Sequence, residues 1–264
     1  MKSAVVLGNG ESRSWFSPDC LEYPIADLEL WGCNAIYRDG VVDNLVSMDY
    51  AMQQEIYMSG YPLNHKCWFA NWTRVPMQVA EMMMMGTTIP KDFVHWPKSN
   101  ASDECVISGK DPATVQTRID EMMKDFPHLD TEDLKLKMEK DVGVWITYVE
   151  PNDDVVPIQY PVGWSTGNTA LHLACQAHPN EIYILGYDLS SYDKPLNNIY
   201  KGTDNYLPAD TKGFSPDNWY NQMQTVFKEF PEITFHLTDC DNEFAGENVN
   251  YITKDQLCWD LKII

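Results

Sequence analysis

Short apolar runs that stop at glycine, asparagine or aspartate set the rhythm of the chain. Ser3–Leu7 is a β-branched run ending at Gly8, the signature of a buried strand. A second run, Glu29–Cys33, ends at Asn34, and a third, Asn44–Met48, ends at Asp49. Helical spacing over Asp49–Tyr57 and a further strand over Lys66–Ala70 follow. The pattern resumes after Gly163. Ser165-Thr166-Gly167-Asn168 reads as a turn and helix start, Thr169–Ala177 as a helix with small residues suited to packing on a sheet, and Glu181–Leu185 as a strand ending in Gly186-Tyr187-Asp188. A helix over Asp217–Phe230 and a strand over Ile233–Leu237 complete it, while the tail from Asp239 gives no clear pattern. Strand, loop and helix in alternation predict a Rossmann-like α/β fold, a mostly parallel sheet with helices on both faces.

The middle of the chain breaks the rhythm. Pro90–Ser108 mixes polarity, Asp111-Pro112 reads as a cap followed by proline in a first helical turn, and Thr131 reads as the cap of a second, charged helix. The expected organisation is therefore a nucleotide-binding domain over 1–89 and 160–264, with an insertion or lid over 90–159. The polar stretch Ser190–Ser215 is long for a loop and poor in core residues, which marks it as functional or disordered.

Composition narrows the function classes. Hydrophobic residues make up 44% of 264 residues, enough for a sizeable core. No apolar run approaches the roughly 20 residues of a spanning helix, Met82–Met85 being a short cluster suited to a helix core. The first residues read directly as a strand, so a cytoplasmic location without a leader is expected. The seven cysteines are scattered and form no Cys-x-x-Cys pair, which suits reduced thiols and gives a zinc site no support. A formal charge of −20 disfavours broad nucleic-acid or anionic-membrane surfaces, although screening over about 8–10 Å leaves room for local exceptions.

In an open parallel sheet, ligands bind at the carboxyl ends of the strands. Those ends here carry Gly8-Asn9-Gly10, Asn34, Asp49 and Gly186 to Asp188, with Ser165-Thr166-Gly167 opening a helix toward the same rim. Gly8 and Gly10 are free to take positive φ and to let a ligand approach the backbone, and the amides that follow suit an anion. Asn9 offers a donor and an acceptor to a ribose or phosphate oxygen. Asp49 serves equally well as a helix cap, as do Ser165 and Thr166. His172, on a helix between two leucines, suits the core, and no Ser–His–Asp or metal set emerges from the six histidines. Asp239-Cys240-Asp241 has an Asp-x-Asp form but reads as a solvated turn.

Together, Val5-Val6-Leu7-Gly8-Asn9-Gly10-Glu11-Ser12, Gly32-Cys33-Asn34, Ser165-Thr166-Gly167 and Glu181-Ile182-Tyr183-Ile184-Leu185-Gly186-Tyr187-Asp188 resemble the bacterial sialyltransferases of the Campylobacter type. The Gly-x-Gly turn and Asp43–Asp49 are also similar to the archaeal pterin diphosphokinase-like group. The first resemblance implies a glycosyltransferase moving a sugar from a nucleotide sugar to a hydroxyl, without a metal and with the nucleotide sugar as co-substrate rather than a cofactor. Gly8, Asn9, Gly10, Asn34, Ser165, Thr166 and Gly167 would meet the nucleotide, and Tyr192 or another loop tyrosine the leaving phosphate. The histidine base of those enzymes has no counterpart in Lys212–Trp219, so Asp188, Asp217 and Asp49 are the candidate bases. The acceptor would be a glycan, a small molecule or a hydroxymethylated DNA base of a phage, in which case the location is the host cytoplasm. A homo-oligomer is compatible with this reading. The second resemblance implies a magnesium-dependent pterin or nucleotide diphosphokinase-like enzyme with Asp43, Asp49 and Asp188 around the metal. A non-catalytic nucleotide-binding protein is the third reading.

Overall fold

The structure, a computed structural model, describes residues 2–21, 26–69, 105–106, 147–148, 154–158, 164–189, 194–240 and 242–263. The helices expected after Asp111 and Thr131, the Met82–Met85 cluster, His95, His128, Tyr192 and Asp241 lie outside those residues.

Ten strands are present among the described residues: β1 Ser3–Leu7, β2 Leu28–Cys33, β3 Asn44–Ser47, β4 Lys66–Phe69, β5 Cys105–Val106, β6 Thr147–Tyr148, β7 Val155–Pro157, β8 Glu181–Leu185, β9 Thr234–Thr238 and β10 Val249–Ile252. Eight form one sheet in the order β10-β9-β8-β1-β2-β3-β4-β7, and every pairing in it is parallel. β5 and β6 form a separate antiparallel pair. The helices are α1 Tyr50–Met58, α2 Thr166–Gln176, α3 Asp217–Glu229 and α4 Lys254–Asp260. This is the Rossmann-like α/β sheet that the strand–loop–helix rhythm predicts.

Central strands of a parallel sheet are covered on both faces, so they read as continuous apolar runs rather than alternating ones. Ala4 to Leu7 and Ile182 to Leu185 are buried throughout, which is why both strands were legible. α2 packs across β1, β2 and β3, and α3 packs on α2. His172 of α2 is enclosed between the rings of Trp164 and Phe230, with the Glu229 carboxylate 3.5 Å away, in line with a core histidine. The unreadable tail forms β10, paired to β9, and α4, capped by Thr253. Strand β7 falls inside the segment expected to be an insertion, yet pairs with β4 at the sheet edge. The sheet therefore re-forms ahead of the boundary expected at 160, through a run, Val155-Val156-Pro157, too short to register as a strand.

Candidate functional site

β1 lies between β2 on one side and β8 on the other, and the connections leave it in opposite directions. Such a switch point opens a crevice at the carboxyl ends of the strands. A cavity of about 640 Å³ occupies it, lined by Gly8, Asn9, Gly10, Cys33, Asn34, Asp49, Ser165, Thr166, Gly167 and Asp188, among others. Groups from five separate stretches of sequence thus share one wall. Of the described residues expected at the nucleotide-sugar site, Asp217 is the exception. It stands exposed in the first turn of α3 and is absent from the lining, although Trp219 of the same turn belongs to it.

The glycine turn is built differently from the expectation. Four of its amides are already bonded: Gly8 N–H donates to Leu185 O (2.7 Å), Gly10 N–H to Gly186 O (2.9 Å), Glu11 N–H to Asn197 Oδ1 (2.7 Å) and Ser12 N–H to Asp188 Oδ2 (3.1 Å). These four hold the turn against the end of β8 and the polar loop and do not point at a ligand. Neither glycine has positive φ, and Gly10 has φ −67°. Close approach demands glycine instead. A Cβ on Gly8 would sit 2.3 Å from Gly186 O, and one on Gly10 would sit 1.9 Å from Asp188 Oδ1. Behind the turn lies Arg13, wholly buried, donating to Gly8 O, to Phe16 O (3.2 Å) and to Tyr200 Oη (2.8 Å), with Asp39 as counter-ion.

Asp188 shares in this construction. Its carboxylate accepts from Ser12 N, from Ser12 Oγ (2.6 Å) and from Asn197 Nδ2 (2.7 Å). It joins the glycine turn, the end of β8 and the polar loop. That loop folds down over the turn: Ile199 N–H donates to Asn9 O (2.9 Å), and Asn9 Nδ2 donates to Tyr206 Oη (3.1 Å). Tyr206 Oη also accepts from Ala35 N (3.4 Å), so its own proton is left to donate, and no acceptor for it is found among the described residues. Burial first, and the thiol of Cys33 second, push the Tyr206 phenol far above its ordinary pKa, which keeps that proton in place. Tyr192 lies outside the described residues; Tyr206, from the same polar stretch, lines the cavity.

Several groups on the wall have unfilled capacity among the described residues. The N-terminus of α2 is capped by Ser165, whose Oγ accepts from Asn168 N (3.3 Å), while Thr166 N and Gly167 N make no hydrogen bond among the described residues. Two oriented amides at a helix N-terminus suit an anion. Asn168, buried in that first turn, directs its Nδ2 to Trp219 O and Gln222 Oε1 (both 3.1 Å), and its Oδ1 meets no donor. Asp49 occupies the cap position of α1 but its side chain caps nothing. Open to water at the cavity wall, it is crowded on its other sides, and this loss of solvation raises its carboxyl pKa above the ordinary 3.8. Asn34, in the left-handed region at φ +53°, accepts from Ser47 Oγ (3.2 Å) and keeps its amide N–H₂ for the cavity.

Sequence reasoning missed Arg13, Tyr206 and Asn168. A lone arginine in a turn reads as solvated, and nothing in the sequence marks its burial. The length of the polar loop did signal that one of its tyrosines would matter, though not which. The cluster expected for a magnesium enzyme does not form. Asp43 precedes β3, accepts from Leu30 N (2.7 Å) and lies at the opposite end of the strand from Asp49. Among the described residues no three His, Cys, Asp or Glu side chains are placed to hold a metal ion, and no helix is long and apolar enough to cross a membrane.

No protein-family model matches the chain, and no curated protein matches it. Among solved structures it is similar to the sialyltransferase CstII from Campylobacter jejuni in complex with a substrate analogue, CMP-3FNeuAc, at 14% identity and a TM-score of 0.34, over 90% of this chain and 80% of that one. It is also similar to a variant of that sialyltransferase in complex with CMP, at 14% identity and a TM-score of 0.39, over 95% and 89% of the two chains. Fold does not imply function, and at this distance the chemistry of the cavity itself has to carry the functional reading.

Proposed function

We propose that the chain is a glycosyltransferase that moves a sugar from a nucleotide-sugar donor to a hydroxyl acceptor, with Asp49 as general base. The observation that carries this reading is the meeting of two complementary features in one cavity: uncharged donors fit for a leaving phosphate, and a carboxylate with no partner among the described residues. The donors are the first amides of α2, at Thr166 and Gly167, and the Tyr206 hydroxyl. Asn9 and Asn34 lie beside them for the ribose and base.

In the reaction, the bond between the anomeric carbon and the phosphate oxygen breaks, and its electron pair leaves with the nucleotide. The acceptor oxygen forms the new bond to the anomeric carbon, and its proton passes to Asp49. Charge grows on the phosphate oxygens as the bond stretches, and the α2 amides and Tyr206 stabilise it there. The acceptor classes are a glycan, a small molecule or a hydroxymethylated base; the last would enter as a single flipped nucleotide, which a net charge of −20 does not oppose.

Hydrolysis of CMP-, UDP- and GDP-sugars, followed with and without EDTA, tests the reading. Turnover that survives EDTA is the expected result. Strict magnesium dependence would turn the assignment toward a diphosphokinase-like enzyme, and binding without turnover toward a nucleotide-binding protein.

A further inference from the structure

The charges around the cavity bear on which sugar it takes. Its described lining holds two charged side chains, Asp49 and Asp188, both acidic, and no lysine, arginine or histidine. Asp188 accepts three hydrogen bonds from Ser12 and Asn197, whereas Asp49 lines the cavity without a partner among the described residues. Three cations on the surrounding elements are turned to acidic partners of their own, and Lys194 and Lys212 of the polar loop are exposed and outside the lining. Arg13 is buried against Asp39, Arg38 grips Glu55, and Lys201 pairs with Glu11. The other polar groups on the wall are neutral, the side-chain amides of Asn34 and Asn198 among them, and the indole of Trp219 lies beside them.

A phosphate has donors at the N-terminus of α2. A second anion on the sugar would have no positive partner among the described residues, and would approach a carboxylate in a partly desolvated space where charge interactions are poorly screened. Neutral hydroxyls are served well by the same surface, since a carboxylate and an amide carbonyl accept from them and aromatic faces take the C–H side of a sugar ring. We infer that the donor carries a neutral sugar whose hydroxyls the asparagine amides hold, and that a sugar bearing a carboxylate is rejected beside the Asp49 carboxylate. This inference rests on the nucleotide-sugar reading above.

Matched pairs that differ only in the charge of the sugar test it: UDP-glucose with UDP-glucuronate, GDP-mannose with GDP-mannuronate, and CMP-sialic acid with its methyl ester. Affinity is read by calorimetry on the full chain, with free CMP, UDP and GDP alongside. The expected result is that, for whichever base is accepted, the neutral member binds at least about tenfold tighter, and that Asp49→Asn narrows the ratio. Equal binding within a pair, or tighter binding of the carboxylate member, overturns the inference and leaves the nucleotide-sugar reading standing. Failure of every nucleotide and every sugar nucleotide to bind overturns that reading and the inference with it.

Discussion

At the scale of single residues, Asp49 and Arg13 show how environment assigns roles that residue type leaves open. Among the described residues, Asp49 is the one candidate base that lines the cavity with its carboxylate unengaged. On the proposed reading, Asp49→Asn lowers kcat by about 10²–10⁴-fold, measured by donor turnover. The wild-type rate then rises through an acid limb centred above 3.8, because loss of solvation raises this carboxyl pKa. The same shift sets a sign for stability. A carboxyl whose folded pKa is raised contributes stability below its unfolded value and loses it as pH climbs through the folded one. At neutral pH the charged Asp49 therefore weakens the fold, and the asparagine variant melts no lower than the wild type. Arg13 behaves oppositely. Its guanidinium joins two carbonyls, a phenol and Asp39, and Arg13→Met removes a donor from each, leaving Asp39 with the Tyr200 hydroxyl. Urea unfolding is expected to show a loss of about 3–5 kcal/mol, large for a residue that sequence alone would place in solvent.

At the scale of elements, the N-terminus of α2 and the polar loop set the shape of the site. Ser165→Ala removes the cap that satisfies Asn168 N, with an expected loss of about 1 kcal/mol in denaturant unfolding. Nucleotide affinity falls with it, since fraying misaligns the Thr166 and Gly167 amides. Glu55 of α1 ties three pieces together, accepting from Tyr37 and Arg38 in the turn after β2 and from Asn205 in the loop. Burial acts to raise its pKa, but those three donors outweigh burial and hold it below 4.5. A carboxyl with a lowered folded pKa contributes stability above its unfolded value and loses it as pH falls through the folded one. Acid unfolding below pH 4.5 should therefore be less steep in Glu55→Gln, followed by tryptophan fluorescence. The loop was legible as functional from its length and polarity. Its attachment was not, because the bonds that fasten it reach residues more than a hundred positions away.

At the scale of the whole molecule, a formal charge of −20 acts on the compact state through self-repulsion. Raising the ionic strength from about 0.01 M to about 0.15 M shortens the screening length from ~30 Å to ~8 Å. The melting temperature should rise over that interval, checked by calorimetry in sodium chloride. Salt that lowered it would mean that attractive surface pairs such as Lys2–Glu29 outweigh the repulsion.

The sequence by itself determined the strands that are buried on both faces, their parallel class, and the rim on which Asn9, Asn34, Asp49 and Asp188 meet. All of these follow from local runs and from the rule that such sheets bind at strand ends. Tertiary structure decided which of those groups remain available. The amides beside Gly8 and Gly10 were bonded by the end of β8, Asp188 was taken up by Ser12 and Asn197, Asp217 was set apart, and Asp49 and the first amides of α2 were left open. A hydrogen-bonding group's capacity is fixed by its type, which sequence records. Whether that capacity is already filled depends on neighbours that only the folded chain brings within about 3 Å.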